Sequence, residues 1–556
     1  MSTAAEEPTA AGRQARVADV VVRGSRIYSL RSDDAVHRSL AIRRDRVVAV
    51  ADAADGLDDL IGPDTRVIEE PGWTLLPGFT DTHTHLIFAG RAIRDVAVER
   101  ARTLSQLLGL IGERAASTPA GEWVRTNSAW HELNLAERRF PTRWELDRVA
   151  PENPVLVKRG GHNDICNSLA LKLGGISRET PDPPGGKIFR DADGEPTGLL
   201  QETPAFASVE AAMPPPSFEE QLENLALASE DYARKGLCAV RDCAVEPRGE
   251  IELLQAVHDR GRLAVRTRYL ILATAVGSVE ERVALLDALK VRSDSGDAML
   301  RVWGLKVILD GGAEGGATCE PYRNDPDEHG ILIWNADELA QLADYALKNG
   351  WRVGTHAVGD RAVRVTLEAY ERALAANPDT APGSLVIEHG FLVGPEQRAR
   401  AIGLGIPITV QHPLLFTLAA ELIQNWGTER ARQVMPVSEW IREGALVGAG
   451  SDYPVGPYDA MRSVWGMVTR KTGGAGVLGP EHAIDRETAI RLYTSDAARL
   501  LGEYGDRGTL EPGKLADFVA YRANPFTCEL DQLAELEPTL TLVGGRGTWD
   551  PQGRLG

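Results

Sequence analysis

WTLLPGFTDTHTHL, residues 73–86, opens as a strand buried on both faces and closes on two histidines one residue apart. Strand side chains alternate, so His83 and His85 leave the same face at its C-terminal end and offer half of a metal site. Alone, a His-x-His pair is a weak signal, because alternate polar residues also mark a solvated strand face. Four later apolar runs strengthen it by ending on potential ligands: RVWGLK at Lys306, WRVGTH at His356, SLVIEH at His389 and ALVGAGSD at Asp452. With only 11 histidines in the chain, four at strand ends is not the scatter of surface decoration.

Around these strands the chain has the composition of a large soluble enzyme. Its 556 residues, 43% hydrophobic and 25% charged, suffice for an extensive core in one big domain with appendages. A balance of 61 basic against 80 acidic residues leaves a net charge of -19, which repels nucleic acid and anionic membrane. A small-molecule substrate is the expected partner, and a homodimer is compatible with the sequence without being required by it. Cys166, Cys238, Cys243, Cys319 and Cys528 are odd in number, scattered and without zinc-finger spacing, as expected in a reducing compartment. Residues 1–16 read as a loose acidic tail rather than a signal peptide, and no apolar run is long enough to span a membrane, so a cytoplasmic protein is expected.

Three kinds of region follow one another. Residues 17–74 carry short β-branched runs, VADVVVRGSRIYSL, SLAIRRDRVVAV and TRVIEE, which predict a small antiparallel sheet. Residues 75–505 alternate apolar strands with helical patterns such as SFEEQLENLALASEDYARKG and NADELAQLADYALKNG, the signature of βα units around a parallel sheet. Residues 506–556 return to strand-and-turn chemistry in GTLEPGKLADFVAYRANP, so the two ends are expected to pair into one β-sandwich beside the barrel. The candidate barrel strands are LLPGF, PVLVK, LCAVRD, VRTRYLIL, MLRVWGLKV, WRVGT, SLVIE, IPITVQ and ALVGAG, one more than a (β/α)8 barrel accepts. PVLVK is the strand to expel, because residues 101–201 are rich in Gly, Pro and Trp and lack clean alternation; they read as an inserted subdomain over the barrel mouth. The alternative keeps PVLVK in the barrel and makes another candidate a loop.

Together, LPGFTDTHTHL, GLKVILDGG, GTHAVGDRAV, VIEHG, AGSDYPV and GTLEPGKLADFV resemble the amidohydrolase superfamily, in its YtcJ-like, family-3 branch, in the expected order over nearly the whole chain. Each motif is modest and the set is highly specific. The resemblance implies a metal-dependent (β/α)8 barrel with a composite β-sandwich that hydrolyses amide or related bonds of small molecules. It implies His83 and His85 as ligands, Lys306 as a carboxylated bridging ligand, His356 and His389 as ligands of a second divalent ion, and Asp452 as ligand and proton shuttle.

The residues themselves leave alternatives open. An ammonium has three donors and no acceptor, so unmodified Lys306 cannot bind a cation, whereas a carbamate presents two anionic oxygens. Otherwise Lys306 would be a structural lysine paired with Asp310 or Glu314. His356 and His389 could each be core histidines, and Asp452 could cap the following helix; their shared place at strand ends, where this fold gathers its functional groups, favours chemistry. Metal coordination lowers the pKa of water from 15.7 to about 7, and a departing amine needs the proton that Asp452 would carry. Imidazole and carboxylate ligands suit zinc, and the same set accepts manganese, iron or cobalt.

For the substrate, the reading is an N-acyl or N-formyl amine. An ester, lactone or cyclic imide is the alternative, since the same attack serves all these carbonyls, and an isomerase or lyase would move protons without net hydrolysis. His162, in RGGHNDICNSLAL, resembles a histidine of the family's insertion that reaches the site, and would donate to the developing oxyanion; otherwise it is a surface or subdomain histidine. Trp130, Tyr453 and His412 are candidate pocket walls, His412 standing where the family pattern leads one to expect another residue. Cys166 has no base beside it and is not a nucleophile candidate.

Overall fold

Eight parallel strands form the central sheet of the computed structural model, which describes residues 17–31, 35–273, 278–289, 291–313 and 315–555; the tail 1–16 and Glu314 fall outside the described residues. In chain order they are β1 (Phe79–Thr84), β2 (Leu237–Val245), β3 (Arg266–Leu272), β4 (Leu300–Ile308), β5 (Val353–Ala357), β6 (Leu385–His389), β7 (Ile408–Val410) and β8 (Val447–Ala449). Each pairs in parallel with its neighbour from β1 to β8. The sheet nearly closes on itself where the Thr82 hydroxyl donates to the Ala449 carbonyl at 2.9 Å and the Ser451 and Asp452 amides donate to His83 O at 3.1 and 2.7 Å. The α/β barrel read from the alternating pattern is present. Its helices start where the sequence supplies caps: Ser217 and Glu220 form a capping box for Phe218–Arg234, and Asn335 and Glu338 one for Ala336–Lys348.

Val155–Arg159, which contains PVLVK, lies outside the barrel in a separate five-stranded sheet with Val124–Arg125, Asn163–Cys166, Lys187–Arg190 and Pro196–Gln201. That sheet lies in sequence between β1 and β2 and buries its own apolar clusters.

The two ends of the chain share a third sheet, in which Phe518–Tyr521 pairs antiparallel with Thr74–Pro77. Two expectations need correction here. First, LLPGF is not one barrel strand: Thr74–Pro77 belongs to the end-built sheet and the barrel starts at Phe79. Gly78 makes the crossing, and a Cβ there would sit 2.3 Å from the Cys238 Sγ, so no larger residue fits between the two sheets. Second, the N-terminal sheet is mixed rather than antiparallel. Val36–Arg43 and Arg46–Ala51 do form an antiparallel hairpin. The turn-rich stretch after it, with a 3-10 turn at Asp58–Leu60, carries the chain back, so Arg66–Glu69 runs parallel to Val20–Arg23. Thr74–Leu75 then runs parallel to Arg26–Ile27, beyond the register break at Gly24 (φ +83°).

Charge ties the C-terminal segment to the barrel. Arg266 on β3 clasps Asp517 with two bonds of 2.8 Å, all buried. Glu503 joins Arg268 on β3 to Arg507, whose own Nη1 donates to Thr80 on β1 at 2.6 Å. Burial alone would raise the Glu503 pKa, but Arg507 and Arg268 outweigh it and hold the carboxyl at about 2. A folded pKa below the unfolded one contributes stability that is complete above the ordinary carboxylate range and is lost as pH falls through the folded value. Glu503→Gln is therefore expected to be destabilised at neutral pH, with its deficit relative to the parent shrinking from about pH 5 toward about pH 2. Urea unfolding across that range checks it; a deficit constant with pH would contradict the assignment.

Candidate metal centre

His83, on β1, and His85, just past its end at the start of the following helix, face one cavity, and the ends of β4, β5 and β6 add Lys306, His356 and His389. Asp452 follows β8. All six line one cavity of about 400 Å3. The His389 ring lies 4.6 Å from that of His83 and 4.5 Å from that of His356, centre to centre, and ligand atoms of His83, His389 and Asp452 all fall within 4.8 Å of one another. Asp452 Oδ1 is 2.9 Å from His85 Nε2 and 3.5 Å from His83 Nε2. A larger hollow of about 680 Å3 opens at the opposite end of the barrel, by Trp351, Ser384 and Leu446, but its lining contains no histidine.

Hydrogen bonds behind the cavity fix which nitrogens face it. Glu388, fully buried beside His389, takes two bonds from Arg241 Nη2 at 2.6 and 2.8 Å. Burial would raise its pKa, but the Arg241 guanidinium lowers it, so it is a carboxylate. It accepts from His83 Nδ1 at 2.7 Å, which puts the His83 proton on Nδ1 and leaves Nε2 as a bare lone pair. It also accepts the Thr409 hydroxyl at 2.6 Å, so that oxygen must accept from Gln411 Nε2 at 2.9 Å. The Gln411 carbonyl is thereby turned to His389 Nδ1 at 2.8 Å, and His389 too must present an unprotonated Nε2. One carboxylate sets the tautomers of two imidazoles.

The electrostatics suit metal ligation. Burial, then the Lys306 charge, pushes His83 far down and His356 to about 4; burial, then His356, brings His389 to about 3. All three are neutral imidazoles at physiological pH, the form that binds metals. Burial works against ionisation of Asp452, yet the hydrogen bond from His85 and the imidazoles of His83 and His389 hold its pKa well below the usual range. His389 (φ +73°) and Asp452 (φ +54°) occupy left-handed backbone conformations, strain of the kind that clusters at functional sites. The His85 Nδ1 is buried with no hydrogen-bond partner, its neighbour Asp242 lying 4.0 Å away.

Lys306 is 2% exposed, and its Nζ stands 3.4 Å from the bare His83 Nε2. No carboxylate of the described residues lies within ion-pair distance of it. The Asp310 carboxylate, the partner it would need as a structural lysine, is taken by the backbone amides of Ala317, Val358 and Gly359.

His162 and Trp130 line the cavity from the inserted segment, His162 bonded to Glu202 at 3.0 Å and Trp130 Nε1 to the Lys158 carbonyl at 2.6 Å. The structure does not bring His412 or Tyr453 there. His412 starts the helix His412–Trp426 and turns from the cavity against Gly466, where a Cβ would meet its Nδ1 at 2.0 Å, because Gln411 before it takes the inward direction. Tyr453 packs edge-on against Tyr458, one residue past the inward-facing Asp452. Sequence reading missed Glu388, Arg241, Gln411 and Asp81. Their signal is a charged or amide group within or at the end of an otherwise apolar barrel strand. Asp81 accepts from the His83 amide at 3.1 Å, the Ser451 amide at 3.0 Å and the Ser451 hydroxyl at 2.6 Å, pinning the start of the Asp452 loop to β1.

The profile of the Amidohydrolase family matches residues 67–548. The chain belongs to the amidohydrolase family. Among family relatives it is 30% identical over 492 residues to the N-substituted formamide deformylase of Arthrobacter pascens, covering 87% of this chain and 90% of that protein. It is also 30% identical over 496 residues to the YtcJ protein of Bacillus subtilis (strain 168), with the same coverage. In fold it resembles an uncharacterised metal-dependent hydrolase of Pyrococcus horikoshii, with a TM-score of 0.72 at 22% identity over 92% of this chain and 99% of that one. The groups behind the candidate ligands fix those side chains and can be probed apart from them. Glu388→Ala leaves Arg241 buried and unpaired and is expected to cost about 3–5 kcal/mol of stability. Thr409→Val, which cuts only the relay to His389, is expected to lower metal affinity about 10–100-fold with the fold retained. Thermal unfolding and metal titration check both; unchanged affinity in Thr409→Val would refute the relay.

Proposed function

We propose that this metal-dependent amidohydrolase cleaves the amide C–N bond of small N-acyl or N-formyl amines. The observation that carries the reading is the convergence of four histidines, Lys306 and Asp452 on one cavity at the C-terminal ends of the barrel strands. The resemblance to an N-substituted formamide deformylase supports the amide bond as the target.

The donor set fits two divalent ions, zinc first among them, held by His83, His85 and Asp452 on one side and His356 and His389 on the other. Bound there, the ions supply a nucleophile at neutral pH and polarise the substrate carbonyl. A bare ammonium at Lys306 would repel both. Carboxylation by carbon dioxide, in which the neutral amine gains CO2 and releases one proton, would turn it into an anion with two oxygens able to bind cations. Asp452, ionised, would accept the proton of the attacking water and return it to the nitrogen of the leaving amine. His162, which also lines the cavity, would donate to the oxygen that becomes negative as the carbonyl carbon turns tetrahedral.

Purified protein should hold up to two transition-metal ions per chain and release amine from simple N-formyl amines. His356→Ala should abolish activity with little loss of fold. Lys306→Ala should lose metal and activity, regaining part of the activity with short carboxylic acids that fill the vacated space. Elemental analysis, amine release and electron density at Lys306 Nζ test these points; fully active, metal-free protein would overturn the whole reading.

A further inference from the structure

The cavity has two unlike walls. One holds the candidate metal ligands; much of the remainder is apolar, built by Ile308, Ile333, Val358, Phe391, Leu414 and Leu418. Three groups able to carry positive charge also line it from the inserted segment, namely His131, Arg159 and His162. A cavity meant to receive an anionic substrate would leave such a group for the ligand. Here each is already backed by a carboxylate. Arg159 donates through Nε and Nη2 to Glu132 at 2.8 and 3.0 Å, and its Nη2 is 3.7 Å from Glu421. His131 Nδ1 accepts the Leu133 amide at 3.1 Å, so its Nε2–H donates to Glu421 at 2.9 Å. His162 pairs with Glu202 at 3.0 Å. Arg159, His131 and Glu132 are buried, with Arg159 6% and His131 2% exposed, and Glu421 is mostly covered, so solvent does little to screen them.

We propose that Arg159 is a specificity-determining residue whose charge is masked by Glu132, so that the cavity admits neutral, apolar N-substituents and rejects substrates bearing a carboxylate on that portion. The inference rests on the amide-hydrolase reading for the bond cleaved, but the charge selection depends only on the wall. An incoming carboxylate would lose its water, find the Nε/Nη2 edge of Arg159 already paired, and face the charges of Glu132 and Glu421 beside it. The geometry matters: two parallel N–H bonds to one carboxylate occupy the Nε/Nη2 edge of Arg159 and place a negative charge directly against its positive one. A neutral alkyl chain meets none of these costs and gains from burial against the aliphatic wall.

The test uses metal-loaded protein and a pair of chelating reverse hydroxamates that differ at the far end of the nitrogen substituent, N-hexyl-N-hydroxyformamide and 6-(N-hydroxyformamido)hexanoic acid, with affinity read by calorimetry. The parent is expected to bind the neutral probe tighter by about tenfold or more. Glu132→Gln, which keeps the shape and removes the mask, should narrow that ratio by about tenfold through tighter binding of the acid. Glu132→Gln/Arg159→Gln should not gain the acid. Should Glu132→Gln fail to fold by circular dichroism, Glu421→Gln gives the same direction with a smaller change. Equal affinities in the parent, an unchanged ratio in the folded single variants, or the same gain in the double variant would each overturn the proposal. Turnover of N-hexylformamide and N-formyl-6-aminohexanoate separates the two readings. A held hydroxamate ratio without amine release from either compound would refute amide hydrolysis and leave the masked arginine standing.

Discussion

The site depends on a buried salt bridge that lies behind the cavity lining. Glu388 and Arg241 are both fully buried, and neither would be tolerable without the other, since removing one partner strands a charge in the interior. Their pairing keeps a carboxylate ionised beneath the cavity floor, and that fixed charge dictates where the protons of His83 and His389 sit. The orientation of these imidazoles is therefore imposed from behind, by a network spanning β1, β2, β6 and β7. Arg241 also donates through Nε to the Thr82 carbonyl at 2.6 Å and lies over the Trp303 ring at 4.5 Å, so the pair is clamped by the strand that carries the histidines.

The barrel's closing seam does a second positioning task. The β8 end lies against β1 so tightly that a Cβ at Gly450 would come within 2.6 Å of the His83 amide nitrogen. Asp81 binds the Ser451 side chain and backbone there, and Asp452, the next residue, turns into the cavity with a left-handed backbone. Closing the sheet and delivering the carboxylate to the imidazoles are one event. This is why functional groups at the seam can be held rigidly although they sit at a loop.

Much of this was legible in the sequence because barrel strands are apolar runs and their C-terminal ends are marked by abrupt changes to His, Lys or Asp. Lys306, His356, His389 and Asp452 stood out for that reason, and PVLVK was separable because its surroundings lack βα alternation. The direction of TRVIEE was not legible, because strand pattern carries no sign and only the path of residues between strands decides parallel from antiparallel. Nor was the break inside LLPGF, where Pro77 and Gly78 pass between two sheets without any loss of hydrophobicity. His412 misled for a related reason: adjacent residues at the strand-to-helix junction face opposite ways, and the inward place belonged to Gln411. Glu388 went unread because a carboxylate next to a candidate ligand looks like part of the ligand set until its own partners are known.

The sheet shared by the two ends also constrains how the protein comes into being. Thr74–Pro77 leads straight into the strand that bears His83 and His85, yet its antiparallel partner Phe518–Tyr521 lies more than four hundred residues later. At about 5–20 residues per second, a ribosome needs roughly 20–90 s to supply that partner. During this interval the first strands leave the tunnel with an apolar edge unpaired, and the first barrel strand has no fixed platform. Folding must finish from the end of the chain backward, which makes the nascent polypeptide a natural client for chaperones that hold unpaired edges and places the greatest aggregation risk before synthesis is complete.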